Sequence, residues 1–180
     1  MPRIAWVEDV DATGELARIF AAARTSLGGD LHSILRTLSF RPDFLAAFLE
    51  MYMAMIRSPG ALSHAQRQMV ATYVAALNRC RYCRNNHTRV LASFGEQYSE
   101  TANALRSADL ESAPITPAER LLLEFTGTLT QHGYRISDEQ VQGLRDAGWT
   151  DAQIAEVVYA GAFMNMVTRI ADAFGIGQDA

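Results

Sequence analysis

Apolar residues recur every three to four positions along most of the chain, the spacing that places them on one face of a helix. The widest apolar stripes lie in segments 42–57 and 151–174. Glycine and proline pairs such as Gly28-Gly29 and Pro59-Gly60 mark the breaks between segments. The predicted helices cover about residues 13–27, 31–40, 42–57, 66–77, 80–94, 99–107, 117–131, 137–148 and 151–174. The sequence therefore predicts an all-α fold.

Four helix starts carry the pattern of a capping box, in which a serine or threonine and a glutamine or glutamate three residues later satisfy each other's backbone N–H groups. The pairs are Ser63 with Gln66, Thr116 with Glu119, Ser137 with Gln140, and Thr150 with Gln153. The residues around the first two boxes are also alike, since Leu62-Ser63-x-Ala65-x-Arg67 is echoed by Ile115-Thr116-x-Ala118-x-Arg120. The echo hints at an internal duplication.

A length of 180 residues fits one all-helical domain over 1–180, with one half over about 1–110 and a second over about 115–180. The segment 111–114 is the most plausible hinge between the halves. Two helices, 43–57 and 151–174, have more apolar face than a small bundle readily covers, which predicts a homo-oligomer. Within the last helix we expect Asn165 and Arg169 to form an interhelical hydrogen bond or ion pair, rather than to bind substrate.

Charge and composition exclude several classes of partner. A net charge of −4 and a pI near 5.5 provide no basic surface for nucleic acid. No apolar run approaches the eighteen or so residues of a membrane span, and the first residues lack the apolar core of a secretory signal. Two cysteines spaced as CxxC fit a reducing compartment, so we expect a cytoplasmic protein.

The chemistry concentrates in residues 63–90, which contain both cysteines, Cys80 and Cys83, followed by His87. At about 100° per residue these three side chains share one helical face within two turns, so an imidazole can take a proton from a thiol. Asn78 is a plausible cap, which places both thiols in the first turns of a new helix, where the helix dipole stabilises a thiolate. Of the other histidines, His64 is expected to be exposed and His32 is given no role.

Three structural interpretations compete with a redox one. The cysteines could pack as small hydrophobic residues, or form a structural disulfide, although a ring of four residues gives little entropic stabilisation. A closed zinc site normally needs four protein ligands, and this segment supplies three. The pattern therefore favours redox chemistry, with no metal and no cofactor.

These residues carry a resemblance to a known family. Leu62 and Ser63, an apolar helix, Asn78, and the motif CxYCxxxH ending at His87 resemble the peroxidase-related branch of the alkylhydroperoxidase D-like, carboxymuconolactone decarboxylase-related family. The resemblance is specific over about residues 40–95 and looser through 116–129 and the last helix. It implies an all-α antioxidant fold, thiol-dependent reduction of peroxides, and a symmetric homo-oligomer, a trimer or hexamer with a dimer as an alternative.

The chain departs from the family pattern at two positions. Twelve residues before the first cysteine, where the family has a glutamate as the base of a proton relay, this chain has Gln68, whose carboxamide cannot accept a proton at neutral pH. Tyr82 occupies a position where the best-studied members carry a second histidine. The relay implied by the family is thus reduced to His87.

The resemblance also implies roles for the two thiols. Cys83 would attack the peroxide and Cys80 would resolve the sulfenic acid to a disulfide. Cys83 lies one helical turn from His87, whereas Cys80 lies nearer the open end, where an external lipoyl or thioredoxin-like dithiol would reduce the disulfide. Two alternatives stay open: a disulfide oxidoreductase or redox sensor without efficient peroxidase activity, and a decarboxylase-like, small-molecule-binding protein in which the cysteines are incidental.

Overall fold

The computed structural model describes residues 2–177, which form nine α-helices and no β-strand. The helices are α1 (Gly14–Leu27), α2 (Ser33–Arg36), α3 (Pro42–Tyr52), α4 (His64–Leu77), α5 (Arg81–Ala92), α6 (Glu96–Arg106), α7 (Pro117–His132), α8 (Asp138–Asp146) and α9 (Asp151–Phe174). A turn of π-helix, Met53–Arg57, continues α3. The prediction of an all-α fold is confirmed.

All four predicted capping boxes form, and each begins a helix. At the start of α4, the Ser63 hydroxyl accepts from the Gln66 N–H at 3.1 Å, and the Gln66 side-chain oxygen accepts from the Ser63 N–H at 3.0 Å. The predicted helix over 31–40 is wrong in extent, because α2 ends at Arg36 and the chain continues in turns that bond three residues back. The local signals therefore located most helix ends to within a few residues.

Helix α4 is the central element. Its residues are buried from Arg67 through Ala76, and it packs against α5, α6, α7 and α9. The hydrophobic core around it contains residues from both predicted halves, from Leu16 in α1 to Ile176 after α9. The buried side chains of α4 that face α5 are therefore shielded from solvent.

Asn165 ties three helices together. Its side-chain oxygen accepts from Asn78 at the end of α4 at 2.9 Å, and its side-chain nitrogen lies 3.3 Å from the hydroxyl of Thr130 in α7. Arg169 is exposed and bonds back to the Asn165 carbonyl at 2.7 Å. Asn165 therefore forms the interhelical hydrogen bonds that we expected, whereas Arg169 forms its hydrogen bonds with Asn165 within α9.

The prediction that Asn78 caps the cysteine helix is wrong. Asn78 is the last residue of the α4 turn, and its side-chain N–H groups are directed to Asn165 and Thr168 on α9. Arg79 then adopts a left-handed conformation, with φ of 56°. The N-cap of α5 is consequently Cys80.

A buried arginine fixes the loop before α4. The Arg67 guanidinium donates to the carbonyls of Leu62 at 2.6 Å and Ser58 at 2.7 Å, and it lies 3.5 Å from the Glu156 carboxylate. Glu156 in turn accepts from the Leu62 N–H at 2.9 Å. Arg120, the echo of Arg67, similarly turns back to the Leu110 carbonyl. The two sequence echoes thus have similar local structures, while the internal duplication itself stays a prediction.

Among residues 2–177, no helix combines the length and the apolar character that a membrane span needs.

The Arg67 network makes a stability prediction. Replacing Arg67 by Met removes a buried cation that contacts three backbone carbonyls and a carboxylate, so we expect the free energy of unfolding in urea to fall by about 3 kcal/mol. The matched control is Arg41→Ala, which removes an arginine from a fully exposed pair with Asp43 and should leave the midpoint nearly unchanged. Equal urea midpoints for the two variants would contradict a stabilising role for Arg67.

Candidate active site

The two cysteines lie at the start of α5. Cys80 is the N-cap and Cys83 is the third helical residue, and both are free thiols that are fully buried, with 0% and 1% of their surface exposed. Cys80 lies against the end of α4, where its N–H donates to the Ala75 carbonyl at 3.0 Å. Cys83 therefore lies in the first turn of a helix, as the sequence predicted, whereas Cys80 is extended and immediately precedes that helix.

The local environment favours the protonated form of Cys83. The pKa of Cys83 is raised above its usual value, first by its hydrogen bond with Cys80, then by burial, and further by electrostatic interaction with Cys80 and with the carboxylate of Asp172. The backbone N–H of Cys83 acts in the opposite direction, as its place at a helix start predicts, but it is the weakest of these effects. At rest, Cys83 is held as a neutral thiol.

The expectation that Cys80 is open to an external reductant is wrong for this conformation. The chain after α9 folds back over the start of α5, and a Cβ atom added to Gly177 would lie 2.9 Å from the Tyr82 Cβ. The N–H of Arg3 donates to the Phe174 carbonyl at 2.8 Å, which places the N-terminal segment beside this return. Sequence spacing placed Cys80 near the helix end, but tertiary packing buries that end.

His87 and Gln68 meet between α5 and α4. The Nδ1 atom of His87 lies 2.8 Å from the Gln68 Oε1 atom, and both side chains are buried. Burial, together with the nearby His32, lowers the pKa of His87 to about 4, so its ring is neutral at pH 7. Gln68 therefore contacts His87 directly, at the position where the family resemblance leads one to expect a glutamate.

His64 is a third member of this chain of polar side chains. Its Nε2 atom lies 3.2 Å from the Gln68 Nε2 atom, and its ring packs edge-on against Phe94, with 4.9 Å between the ring centroids. The expectation that His64 is exposed is wrong, because this contact leaves it only half-exposed. Its position one turn before Gln68 on the same helical face was the signal that could have identified it.

A small cavity of about 20 Å³ lies beside Cys83 and His87, enough for a single water molecule. Its polar lining consists of His32, Tyr82, Cys83, Asn86 and His87. Apolar residues form the rest of the wall: Leu27, Ile34, Leu35, Phe48, Tyr52, Phe163, Met164 and Val167. Cys83 borders the cavity and Cys80 does not.

His32 lines this cavity, although the sequence analysis assigns it no role. It precedes α2, and its pKa is lowered by burial and by the charges of Arg57 and Arg89. Tyr82, the residue between the cysteines, accepts from the Ile34 N–H at 3.4 Å, which holds the α2 segment over the start of α5. Burial raises the pKa of Tyr82 to about 12, so its phenol stays protonated.

The four candidate residues are thus assembled at one place, with Gln68 on α4 and Cys80, Cys83 and His87 on α5. Within residues 2–177, no cluster of three or more histidine, cysteine or acidic side chains is suited to hold a metal ion. The arrangement offers a buried thiol pair, a neutral imidazole and a cavity that touches one of the two sulfurs.

Comparison with known families and proteins places this site in context. Residues 42–113, which include α3 to α6 and the whole thiol site on α4 and α5, match the carboxymuconolactone decarboxylase family. Sestrin-1 of Xenopus laevis is 26% identical over 160 residues, which are 88% of this chain. The chain spans only about a third of sestrin-1, since the match covers 31% of that protein.

Solved structures share the whole fold. A peroxidase-related protein from Ralstonia eutropha JMP134 with an alkylhydroperoxidase AhpD core superimposes with a TM-score of 0.85 at 23% identity, covering 97% of this chain and 90% of that one. A peroxidase-related protein from Silicibacter sp. TM1040 gives 0.82 at 24% identity, covering 97% and 92%. The debrominase Bmp8, solved with 2,3,4-tribromopyrrole, gives 0.78 at 16% identity, covering 96% and 89%. These likenesses show the fold.

The thiol environment yields a prediction about reactivity. Because the hydrogen bond with Cys80 is the largest cause of the raised pKa of Cys83, we expect Cys80→Ala to lower that pKa and speed alkylation of Cys83 by iodoacetamide at neutral pH. Asp172→Asn, which removes a smaller contribution of the same sign, should change the rate less in the same direction. A Cys83 pKa that is unchanged or higher in Cys80→Ala would contradict this order of causes.

Proposed function

We propose that this protein is a thiol-dependent peroxidase. It reduces peroxides through a dithiol and disulfide cycle of Cys83 and Cys80. The proposal is supported by the match of residues 42–113 to the carboxymuconolactone decarboxylase family and by the fold shared with the alkylhydroperoxidase AhpD core. The observation that carries the proposal is the arrangement at the start of α5, where Cys83 borders a cavity shared with His87 while Cys80 lies behind it as a second buried thiol.

In the first step the sulfur of Cys83 attacks the terminal oxygen of the peroxide. His87 takes the thiol proton on Nε2, since its Nδ1 proton is donated to Gln68 in this arrangement. The O–O bond breaks, Cys83 becomes a sulfenic acid, and the departing alkoxide or hydroxide takes the proton from His87. A neutral imidazole with a pKa near 4 holds that proton weakly, so it returns the proton readily to the leaving group.

In the second step the thiol of Cys80 attacks the sulfenic sulfur of Cys83 and expels water, which leaves a Cys80–Cys83 disulfide. The two electrons given to the peroxide have then come from the two thiols. An external lipoyl or thioredoxin-like dithiol restores the pair by exchange. Because Cys80 is buried and the chain after α9 packs against the neighbouring Tyr82, this exchange requires the start of α5 to become accessible.

The largely apolar wall of the cavity favours an organic hydroperoxide over hydrogen peroxide as the substrate. The cavity holds about one water in this conformation, so an organic substrate enters only when α3, α9 or the α2 segment shifts. The cycle uses protein side chains alone and needs no cofactor.

A disulfide oxidoreductase or redox sensor is the second candidate, and Gln68 favours it. A carboxamide in the position of the family's glutamate does not raise the basicity of His87, and both thiols are covered. Such a protein would cycle between dithiol and disulfide with partner proteins while reacting slowly with peroxide. A decarboxylase-like role in binding small molecules is the third, and the debrominase solved with 2,3,4-tribromopyrrole makes halogenated aromatics a ligand class to test.

We also propose that the protein is a cytoplasmic homo-oligomer, a trimer or hexamer with a dimer as the alternative. Exposed apolar side chains on α3 and α9 support association of this face with another copy: Phe44 and Met51 are each 41% exposed and Tyr159 is 54% exposed. The cytoplasm supplies the dithiols that the cycle consumes.

The proposed thiol roles predict different outcomes for two serine variants. Cys83→Ser removes the attacking sulfur and should abolish peroxide consumption. Cys80→Ser keeps the attacking sulfur but removes the resolving one, so a single turnover should leave a sulfenic acid at Cys83 that a dimedone-type probe labels. If the probe instead labels Cys80 in Cys83→Ser and turnover survives, the roles are reversed. If neither variant changes peroxide consumption, the thiol mechanism is wrong.

Converting Gln68 to Glu should increase the peroxide rate. A carboxylate 2.8 Å from the Nδ1 atom of His87 stabilises the protonated ring, so the pKa of His87 rises and the ring becomes a stronger base toward Cys83. General base catalysis contributes about 10²–10⁴-fold in tuned sites, and we expect less here. The measurement is the pH dependence of peroxide reduction and thiol alkylation.

The matched control is Gln66→Glu, which adds the same charge two residues away on α4 and keeps the capping box, since glutamate serves as well there. A rate for Gln68→Glu that stays at or below the wild-type rate at every pH would favour the oxidoreductase or sensor function instead.

A further inference from the structure

The Gln68 side chain is held between two imidazoles and is 1% exposed. Its Oε1 atom lies 2.8 Å from the His87 Nδ1 atom, and its Nε2 atom lies 3.2 Å from the His64 Nε2 atom. An amide oxygen only accepts hydrogen bonds and an amide nitrogen only donates them. With the amide oriented in this way, His87 therefore carries its proton on Nδ1, while the Nε2 atom of His64 has no proton and accepts the hydrogen bond from the amide nitrogen.

The same contacts are satisfied when the amide is reversed. A half-turn of the Gln68 amide exchanges the places of its oxygen and nitrogen, so the His64 Nε2–H donates to the oxygen and the amide N–H donates to the His87 Nδ1 atom. His87 then carries its proton on Nε2. Because the Gln68 side chain is buried and both ends of its amide contact an imidazole, the proton positions on the two rings are coupled through the amide.

We propose that His64 is a positioning residue that determines, through the Gln68 amide, which ring nitrogen of His87 carries the proton. Neutral His64 can accept from the amide and thus permits the form of His87 whose Nε2 atom is free to take the Cys83 proton. Protonated His64 has hydrogen on both ring nitrogens and can only donate, so it permits only the reversed amide. In that state the Nε2 atom of His87 is already protonated and cannot act as a base.

The surroundings of His64 allow it to titrate separately from His87. Burial lowers the pKa of His64, and the charges of Arg57 and Arg67 lower it further. Its remaining ring contact is Phe94, which packs in turn on Tyr98 of α6. His64 is half-exposed whereas His87 is buried, so His64 is the first of the two to protonate as the pH falls. A pH range therefore exists in which His64 is charged while His87 is neutral.

Because His64 protonates before His87, the peroxide rate should fall as the pH falls. Above the lowered pKa of His64, the Gln68 amide can adopt both orientations, and His87 can serve as the base. As the pH falls through that pKa, protonated His64 allows only the reversed orientation of the Gln68 amide. The peroxide rate should then fall although His87 itself has not gained a charge. The effect on rate rests on the proposed peroxidase function, whereas the proton position on His87 does not.

The direct test is nuclear magnetic resonance of the reduced full-length protein with nitrogen-15-labelled histidines. Between about pH 8 and about pH 5, the ring nitrogen shifts of His87 should change from a population containing the Nδ1–H form to the Nε2–H form alone, with the midpoint of the His64 titration. In His64→Gln, which keeps hydrogen-bonding groups but does not titrate, that pH-dependent change should vanish. His132→Gln, at an exposed histidine at the end of α7, is the control and should behave as the wild type.

Two further variants should each hold the proton of His87 on one ring nitrogen. In His64→Lys the charged amine donates to the Gln68 oxygen, so His87 should remain in the Nε2–H form throughout, and the peroxide rate at neutral pH should fall by about tenfold or more. In Gln68→Glu both oxygens accept, so His87 should keep its Nδ1 proton at every pH tested. A near-unchanged melting temperature shows that each variant is folded.

The proposal is overturned if His87 keeps the same tautomer mixture while His64 titrates in the wild type, or if His64→Gln shows the same pH-dependent change as the wild type. A tautomer change that follows His64, in a protein that reduces no peroxide at any pH, supports the coupling while contradicting the proposed function. The two ideas therefore fail on different measurements.

Discussion

A buried imidazole must find its hydrogen-bond partner inside the protein, and His87 finds it in Gln68 on the central helix. This contact links α5, which carries the thiols, to α4, which the rest of the bundle surrounds. The start of α4 is fixed in turn by its capping box and by Arg67, which donates hydrogen bonds to the carbonyls of the preceding loop. The position of the polar site therefore depends on the same packing that holds the bundle together.

Burial also sets the resting charge of the site. The hydrogen bond with Cys80, together with burial, raises the pKa of the Cys83 thiol, and burial lowers the pKa of His87, so both groups are neutral near pH 7. This differs from a thiolate and imidazolium pair that stands ready before substrate arrives. In the proposed cycle, proton transfer from Cys83 to His87 is coupled to the approach of a substrate that takes up the developing charge. A buried, neutral Cys83 thiol is protected from adventitious oxidation, since reactivity follows thiolate character and exposure.

The sequence predicted those features that local signals control. The serine and threonine caps at Ser63, Thr116, Ser137 and Thr150 located helix starts, and the spacing of Cys80, Cys83 and His87 placed them on the start of one helix. Features that depend on distant segments could not be predicted in this way. His32 lines the cavity together with residues of α5 and α9. Cys80 is buried, with its N–H bonded to Ala75 of α4 and the chain after α9 packed on the adjacent Tyr82. Asn78 was misassigned because its partners, Asn165 and Thr168, lie on the last helix.

The central claim is that one peroxide molecule oxidises the Cys80–Cys83 pair. It is tested most directly by mixing the fully reduced protein with one equivalent of an organic hydroperoxide in a stopped-flow instrument and then measuring the mass of the intact protein and of its cysteine peptide. The proposed mechanism predicts rapid loss of two hydrogen atoms, located to a Cys80–Cys83 disulfide, faster than with hydrogen peroxide. A protein whose two thiols remain reduced, or are oxidised no faster than free cysteine, would contradict it.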